Sequence, residues 1–152
     1  MTKYDIALAK IREITNRTQE SNDFKLGEVC KILKNTFKTY DWVGYYFADH
    51  DTQILHLGPF AGAETEHIAI PFGEGICGQV AVTNQNFVVP DVAAQDNYIA
   101  CSINVKSEIV IPLFVNGKNI GQLDIDSHTP DAFSSIDEDF LMAVNKLVAK
   151  LY

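Results

Sequence analysis

No stretch of this sequence approaches the roughly 20 consecutive apolar residues that span a bilayer, which excludes a membrane-spanning helix. Basic residues are scarce: 12 Lys and Arg stand against 20 Asp and Glu, a formal net charge of −8. Without a basic stripe the chain is not expected to bind nucleic acid or an anionic membrane surface. Only three cysteines occur, Cys30, Cys77 and Cys101, and a small odd number argues against a permanent disulfide framework. The opening segment MTKYDIALAKIREITNRTQ lacks the apolar core and cleavage site of a signal peptide. The expectation is a cytoplasmic protein whose thiols stay reduced and whose disulfides, if any form, are transient. Repeats, low-complexity tracts and Pro/Ser linkers are missing too, so residues 1–152 read as a single domain, long enough to bury a core without staples. His67 and His128 stand alone, and Cys77 and Cys101 are too far apart for a C-x-x-C half-site, so no metal is expected.

What is present is a helix–strand–helix pattern. Residues 3–20 carry Tyr4, Leu8, Ile11 and Thr15 at helical spacing, and Leu26, Val29, Cys30, Leu33 and Phe37 repeat it. Phe140, Val144, Leu147, Val148 and Leu151 form a closing stripe, preceded by Ser135 and Glu138 at capping-box spacing. Between them, short β-branched and aromatic runs predict strands at Trp42–Phe47, Ile54–Leu57, His67–Phe72, Phe87–Val89, Glu108–Val115 and Ile120–Ile125. Asn116-Gly117 is a two-residue hairpin signal, which makes the last two strands antiparallel and the domain α+β.

The segment from Pro90 to about Lys106 is the longest without pattern, and long loops in compact domains tend to carry function. Cys101 lies in it, flanked by polar residues, where a core thiol is not expected. Gly73-Glu74-Gly75-Ile76-Cys77-Gly78 matches G-x-G-x-x-G, with Asp91 further on. A helix from Ile76 to about Asn84 is short for a dinucleotide crossover, however, and a tight turn at Gly73 and Gly75 with close packing at Gly78 accounts for the glycines. Cys77 then falls in the first turn of a helix, where the N-terminal dipole favours thiolate. Cys30, on an apolar stripe, reads as core.

Asp124 and Asp126 alternate along a strand and so share a face; such a pair is ordinarily the solvated side of a sheet, or else binds an ammonium or holds a shared proton. Glu108 opens the neighbouring strand and joins them if the register allows. Gly44, beside Trp42 and Tyr46, leaves room near the ring for a small ligand.

Several blocks in order, Trp42-Val43-Gly44-Tyr45-Tyr46, Gly58-Pro59-Phe60, Ile70 to Gly78, Ile99-Ala100-Cys101, Ser107 to Val110 and Leu123 to Ser127, resemble the free methionine-R-sulfoxide reductases of the GAF fold. The resemblance implies a GAF-like six-stranded antiparallel sheet, terminal helices on one face and a ligand pocket under loops on the other. By the same resemblance Cys101 is the redox thiol of the loop and Cys77 its disulfide partner. Glu108, Asp124 and Asp126 match the substrate-binding acids, and Trp42 and Tyr46 match the aromatic wall; since the departing oxygen of a sulfoxide needs a proton, Asp126 or Glu108 is the expected donor. Two positions depart from the pattern: His67 stands where many members have a further Cys, and Ser102 where Asp commonly follows the loop Cys. The implied activity is reduction of free methionine sulfoxide with no bound cofactor, the Cys77–Cys101 disulfide being reopened by a thioredoxin-like protein fed by NADPH. Which thiol attacks first stays open. The alternatives are a stand-alone GAF sensor that binds a small molecule without chemistry, and an adaptor whose terminal amphipathic helices pair two copies into a homodimer.

Overall fold

A computed structural model describes residues 1–96 and 104–152. Two helices open the chain, α1 (Lys3–Thr15) and α2 (Asn22–Thr36). Strands β1 (Trp42–Asp49), β2 (Ile54–Ala61) and β3 (Ala69–Pro71) follow, then α3 (Gly75–Thr83), β4 (Phe87–Val89), β5 (Ser107–Val115), β6 (Lys118–Ser127) and α4 (Ser135–Val148). The six strands form one sheet in the order β3-β2-β1-β6-β5-β4, every pairing antiparallel. This is the architecture the sequence predicts. No helix among the described residues is long and apolar enough to cross a membrane.

Period-2 alternation in the central strands divides the interior in two. Val43, Tyr45, Ile109, Ile111, Leu113, Leu123 and Ile125 face α1, α2 and α4, meeting Ile11, Leu26, Leu33, Leu141 and Val144. The intervening residues, Trp42, Tyr46, Val110 and the acids, face the other way, toward α3, whose Ile76, Cys77 and Val80 join a second apolar cluster there. The stripes of α1 and α4 that the sequence offers to a second subunit are thus buried within the monomer.

Local chemistry sets the boundaries. Asn116 and Gly117 both take positive φ (52° and 77°), the twist a two-residue hairpin between β5 and β6 demands. β2 runs four residues past the predicted Leu57 because an irregularity opposite Gly44 and Tyr46 absorbs Gly58-Pro59, and Pro59 lies beyond the β3 pairing, where a missing N–H costs nothing. The predicted His67–Phe72 strand shortens to Ala69–Pro71 at the sheet edge. The capping box of α4 is one residue earlier than expected: Ser134 and Asp137 form it, with the Ser134 N–H donating to Asp137 Oδ2 at 2.8 Å. The shift turns Asp137 inward, where it also accepts a 2.6 Å hydrogen bond from the Tyr40 hydroxyl, a contact that Glu138 on the outer side would not make.

Candidate functional site

The site lies on the α3 side of the sheet, where three neighbouring strands present polar groups in register. Trp42 on β1 pairs with Asp126 on β6, and Asp126 pairs with Glu108 on β5. One step along, Gly44, Asp124 and Val110 form the next row, and Tyr46, Gln122 and Pro112 the one after. Glu108 therefore does sit alongside the two aspartates. Of the alternatives open for Asp124 and Asp126, the solvated side of the sheet is excluded: Glu108, Asp124 and Asp126 are 5%, 3% and 1% exposed, on the face that α3 packs against.

A carboxylate oxygen from each of the three lies within 4.8 Å of the others. Three like charges so close and so dry cannot all ionise, so the cluster carries at least one proton. Burial raises the Asp124 carboxyl above its ordinary value, an effect that a hydrogen bond with Glu108 partly offsets. Such a trio is shaped for a cation, for a hydrogen-bonding polar oxygen, or for delivering a proton. It is also a donor set for a hard metal ion, which the sequence reading, looking for His and Cys spacing, did not flag.

Trp42 forms the adjoining wall. Its indole N–H donates to the Ala63 carbonyl at 3.0 Å and its ring stacks on Phe60 at 5.6 Å between centroids. Tyr46 is 6.3 Å from it, with the hydroxyl donating to the His67 carbonyl at 2.8 Å. The predicted opening at Gly44 is corrected here: a Cβ on Gly44 would collide with the Trp42 ring, so the missing side chain makes room for the indole rather than for a ligand. The open space lies at the other edge of the ring, a cavity of about 200 Å³ lined by Asp41, Trp42, Thr65, Val105, Asp126 and His128 among others. Its volume suits a molecule of amino-acid size.

The glycine turn holds Cys77 near this face. Gly73 and Gly75 adopt φ of 87° and 63°, and the Gly73 N–H donates to the Gly78 carbonyl at 2.8 Å. A Cβ on Gly78 would meet the Pro71 carbonyl oxygen at 2.6 Å, so α3 sits as close to β3 as its backbone permits. Cys77 is the third residue of α3 and is buried in the same apolar cluster as Trp42, Tyr46 and Val105. Asp91 accepts from the Ala93 N–H at 3.0 Å, capping a short turn at Val92–Ala94; with α3 only nine residues long and every described strand pairing antiparallel, the described residues form no dinucleotide crossover. Cys101 lies outside the described residues. The Val92 N–H donates to the Lys106 carbonyl at 2.9 Å, tying the two ends of that loop together beside Glu108, and Asn104 and Val105 on its return arm line the cavity. Cys30 is fully buried on the opposite side of the sheet, its thiol 3.6 Å from the Pro59 carbonyl and pushed far up by desolvation, which bears out its assignment to the core.

The sequence reading missed three residues of this face. Asp41 and His128 meet at the cavity mouth, the His128 N–H of the backbone donating to Asp41 at 2.7 Å and the two side chains 3.8 Å apart. Gln122 completes the polar row of β6; the alternation Gln122, Asp124, Asp126 was the signal that would have found it.

Comparison with known proteins gives a consistent picture. The GAF domain family matches residues 26–150. The free methionine-R-sulfoxide reductase of Saccharomyces cerevisiae is 39% identical over 131 residues, 82% of this chain and 72% of that protein. The enzyme of the same name from Escherichia coli is 39% identical over 126 residues, 83% and 73% of the two chains. Among solved structures, free methionine-R-sulfoxide reductase from Neisseria meningitidis in complex with its substrate superposes with a TM-score of 0.91 at 36% identity, over 97% of this chain and 87% of that one.

Proposed function

Since the chain belongs to the GAF domain family and, within it, to the free methionine-R-sulfoxide reductases, we propose that it is an oxidoreductase reducing free methionine-(R)-sulfoxide to methionine through Cys101 and Cys77. The observation that carries this reading is the buried trio Glu108, Asp124 and Asp126 beside the Trp42 wall, on the face where α3 holds Cys77.

Sulfoxide reduction needs a nucleophile for sulfur and a proton for oxygen, since oxide is too basic to leave unaided. The Cys101 thiolate attacks the sulfoxide sulfur while Glu108 or Asp126 supplies a proton to the oxygen. Oxygen passes to the Cys101 sulfur, methionine departs with its sulfur reduced by two electrons, and Cys101 is left as a sulfenic acid. The Cys77 thiol condenses with it, releasing water and forming the disulfide. A thioredoxin-like dithiol, itself kept reduced by NADPH, then opens that disulfide by exchange, so no bound cofactor takes part. Cys101 stands three residues before Asn104, a cavity-lining residue, which supports its placement in this scheme.

Selectivity for the free amino acid follows from the same acids. The substrate's ammonium neutralises part of the carboxylate charge, whereas a peptide-bound residue has no ammonium to offer and forgoes that attraction. Trp42 and Tyr46 take the methyl group, and N–H groups at the start of α3 near Gly75 take the carboxylate. The proposal extends to a cytoplasmic setting and to a homodimer in which the outer faces of the terminal helices, with Ile6 and Ile136 exposed, meet a second copy.

The test follows thioredoxin-coupled NADPH oxidation with resolved methionine sulfoxide epimers. Turnover of the R epimer that is lost in Cys101→Ser and in Cys77→Ser supports the reading. No turnover of either epimer by fully reduced protein, with binding retained, replaces it by a ligand-holding GAF domain.

A further inference from the structure

Gln122 precedes Asp124 by two residues on β6 and shares its face, between Tyr46 on β1 and Pro112 on β5. The side chain is fully buried, and neither its Nε2 nor its Oε1 has a hydrogen-bond partner. The same is true of one oxygen of Asp124, Oδ1. Buried polar atoms in native proteins are satisfied by protein or by ordered water, so these orphans on one strand face call for a shared explanation.

The neighbours leave few ways to satisfy them. Asp124 is flanked across the sheet by Gly44 and Val110, which bring no side-chain donor. Tyr46, the register partner of Gln122, donates its hydroxyl proton to the His67 carbonyl and so has none for the Gln122 Oε1. Residues two apart on a strand are separated by roughly 6.6 Å, a span that one water molecule bridges between a long amide and a short carboxylate.

We propose that Gln122 is a positioning residue of the acid cluster: its amide N–H holds an ordered water that donates a hydrogen bond to Oδ1 of Asp124. The consequence lies in where the proton sits. Asp124 and Glu108 are hydrogen-bonded to each other, which needs one proton between them. A second donor on Asp124 favours its ionised form, so Asp124 is the acceptor and Glu108 carries the proton. Under the proposed reductase chemistry, on which this consequence rests, Glu108 is then the group charged for delivery to the sulfoxide oxygen. Among the described residues the other titratable groups facing this cluster and its cavity are Asp126, Tyr46, Cys77, Asp41, Glu64 and His128.

Gln122→Met removes the amide at nearly constant volume. In the reduced, substrate-free protein, with aspartate and glutamate side chains labelled at the carboxyl carbon, the Asp124 titration should move up by about one pH unit in the variant. In turnover, kcat should fall by about tenfold with KM within about twofold, and the alkaline limb of the kcat profile should shift with the carboxyl titration. An Asp124 titration that superimposes on the wild type overturns the proposal. The titration needs no turnover, so an inactive wild type would count against the reductase reading and leave this test standing. A second measurement guards against a variant that does not fold: an atomic-resolution crystal structure of the wild type should show a water between Nε2 and Oδ1, and an amide turned onto other protein groups overturns the assignment.

Discussion

The indole of Trp42 lies directly over Gly44, so close that a Cβ on that glycine would stand 2.7 Å from Cζ3 of the ring. Phe60 closes in from the far side, its Cβ 3.0 Å from the same position. The aromatic wall is therefore set by the absence of a side chain two residues along the strand. Gly44→Ala should tilt the ring into the cavity and raise KM for methionine sulfoxide by about tenfold, with a smaller effect on kcat. Trp42 is the sole tryptophan of the chain, so its fluorescence reports the displacement without interference.

Burial sets a pH signature on stability. The Asp124 carboxyl titrates above its ordinary value in the folded protein, chiefly through desolvation, with the Glu108 hydrogen bond pulling the other way. Between the ordinary carboxylate value and its own raised value native Asp124 keeps a proton that unfolded Asp124 has lost, and above the raised value it is ionised. In that window the native state binds more protons, and this group's contribution to stability falls as pH rises from the ordinary carboxylate value through the raised one. Asp124→Asn should flatten that fall and raise Tm near neutral pH, by about 2–4 °C for each kcal/mol recovered, while abolishing turnover. Thermal melts of both proteins from pH 4 to pH 8 check it; identical pH slopes would contradict the assignment.

How much of this was legible in the sequence depends on the residue. The hairpin at Asn116-Gly117 and the strand Phe87–Val89 follow from local chemistry and match the structure. The face shared by Asp124 and Asp126 also follows from strand period alone. Whether that face is wet does not, because α3, which covers it, is a short apolar helix with no polar side to declare which way it points. The role of Gly44 was misread for the same reason: a strand glycine announces an opening, but only the fold shows that the ring two residues away fills it. His128 and Asp41 gave no signal, being far apart in sequence and brought together only where the start of β1 meets the end of β6.

Asn145 should be a stability residue with no part in catalysis. From α4 its Nδ2 donates to the carbonyls of Ile111 and Pro112 at 3.1 Å each, and its Oδ1 accepts from the Tyr45 hydroxyl at 2.8 Å. Removing it takes away three buried hydrogen bonds on the helix side of the sheet, away from the acids. Asn145→Ala should cost about 2–4 kcal/mol in urea unfolding, while kcat and KM of the folded fraction stay near wild type.

The three thiols should separate cleanly by chemistry. Cys30 is fully buried among Leu26, Val29 and Leu33, and desolvation holds its thiol far above the ordinary range, so thiolate does not form there at physiological pH. Cys77 occupies the opposite face, at the start of α3 and in the cluster that contains Trp42. Alkylation of the native reduced protein at pH 8, read by mass spectrometry, should leave Cys30 unmodified until denaturant is added. Cys30→Ala should keep full turnover and lose only about 1 kcal/mol of stability, the scale of a small core truncation. Loss of turnover in that variant would place the sulfur chemistry on the wrong side of the sheet, since Cys30 belongs to the cluster under α1, α2 and α4 and Cys77 to the cluster on the opposite face.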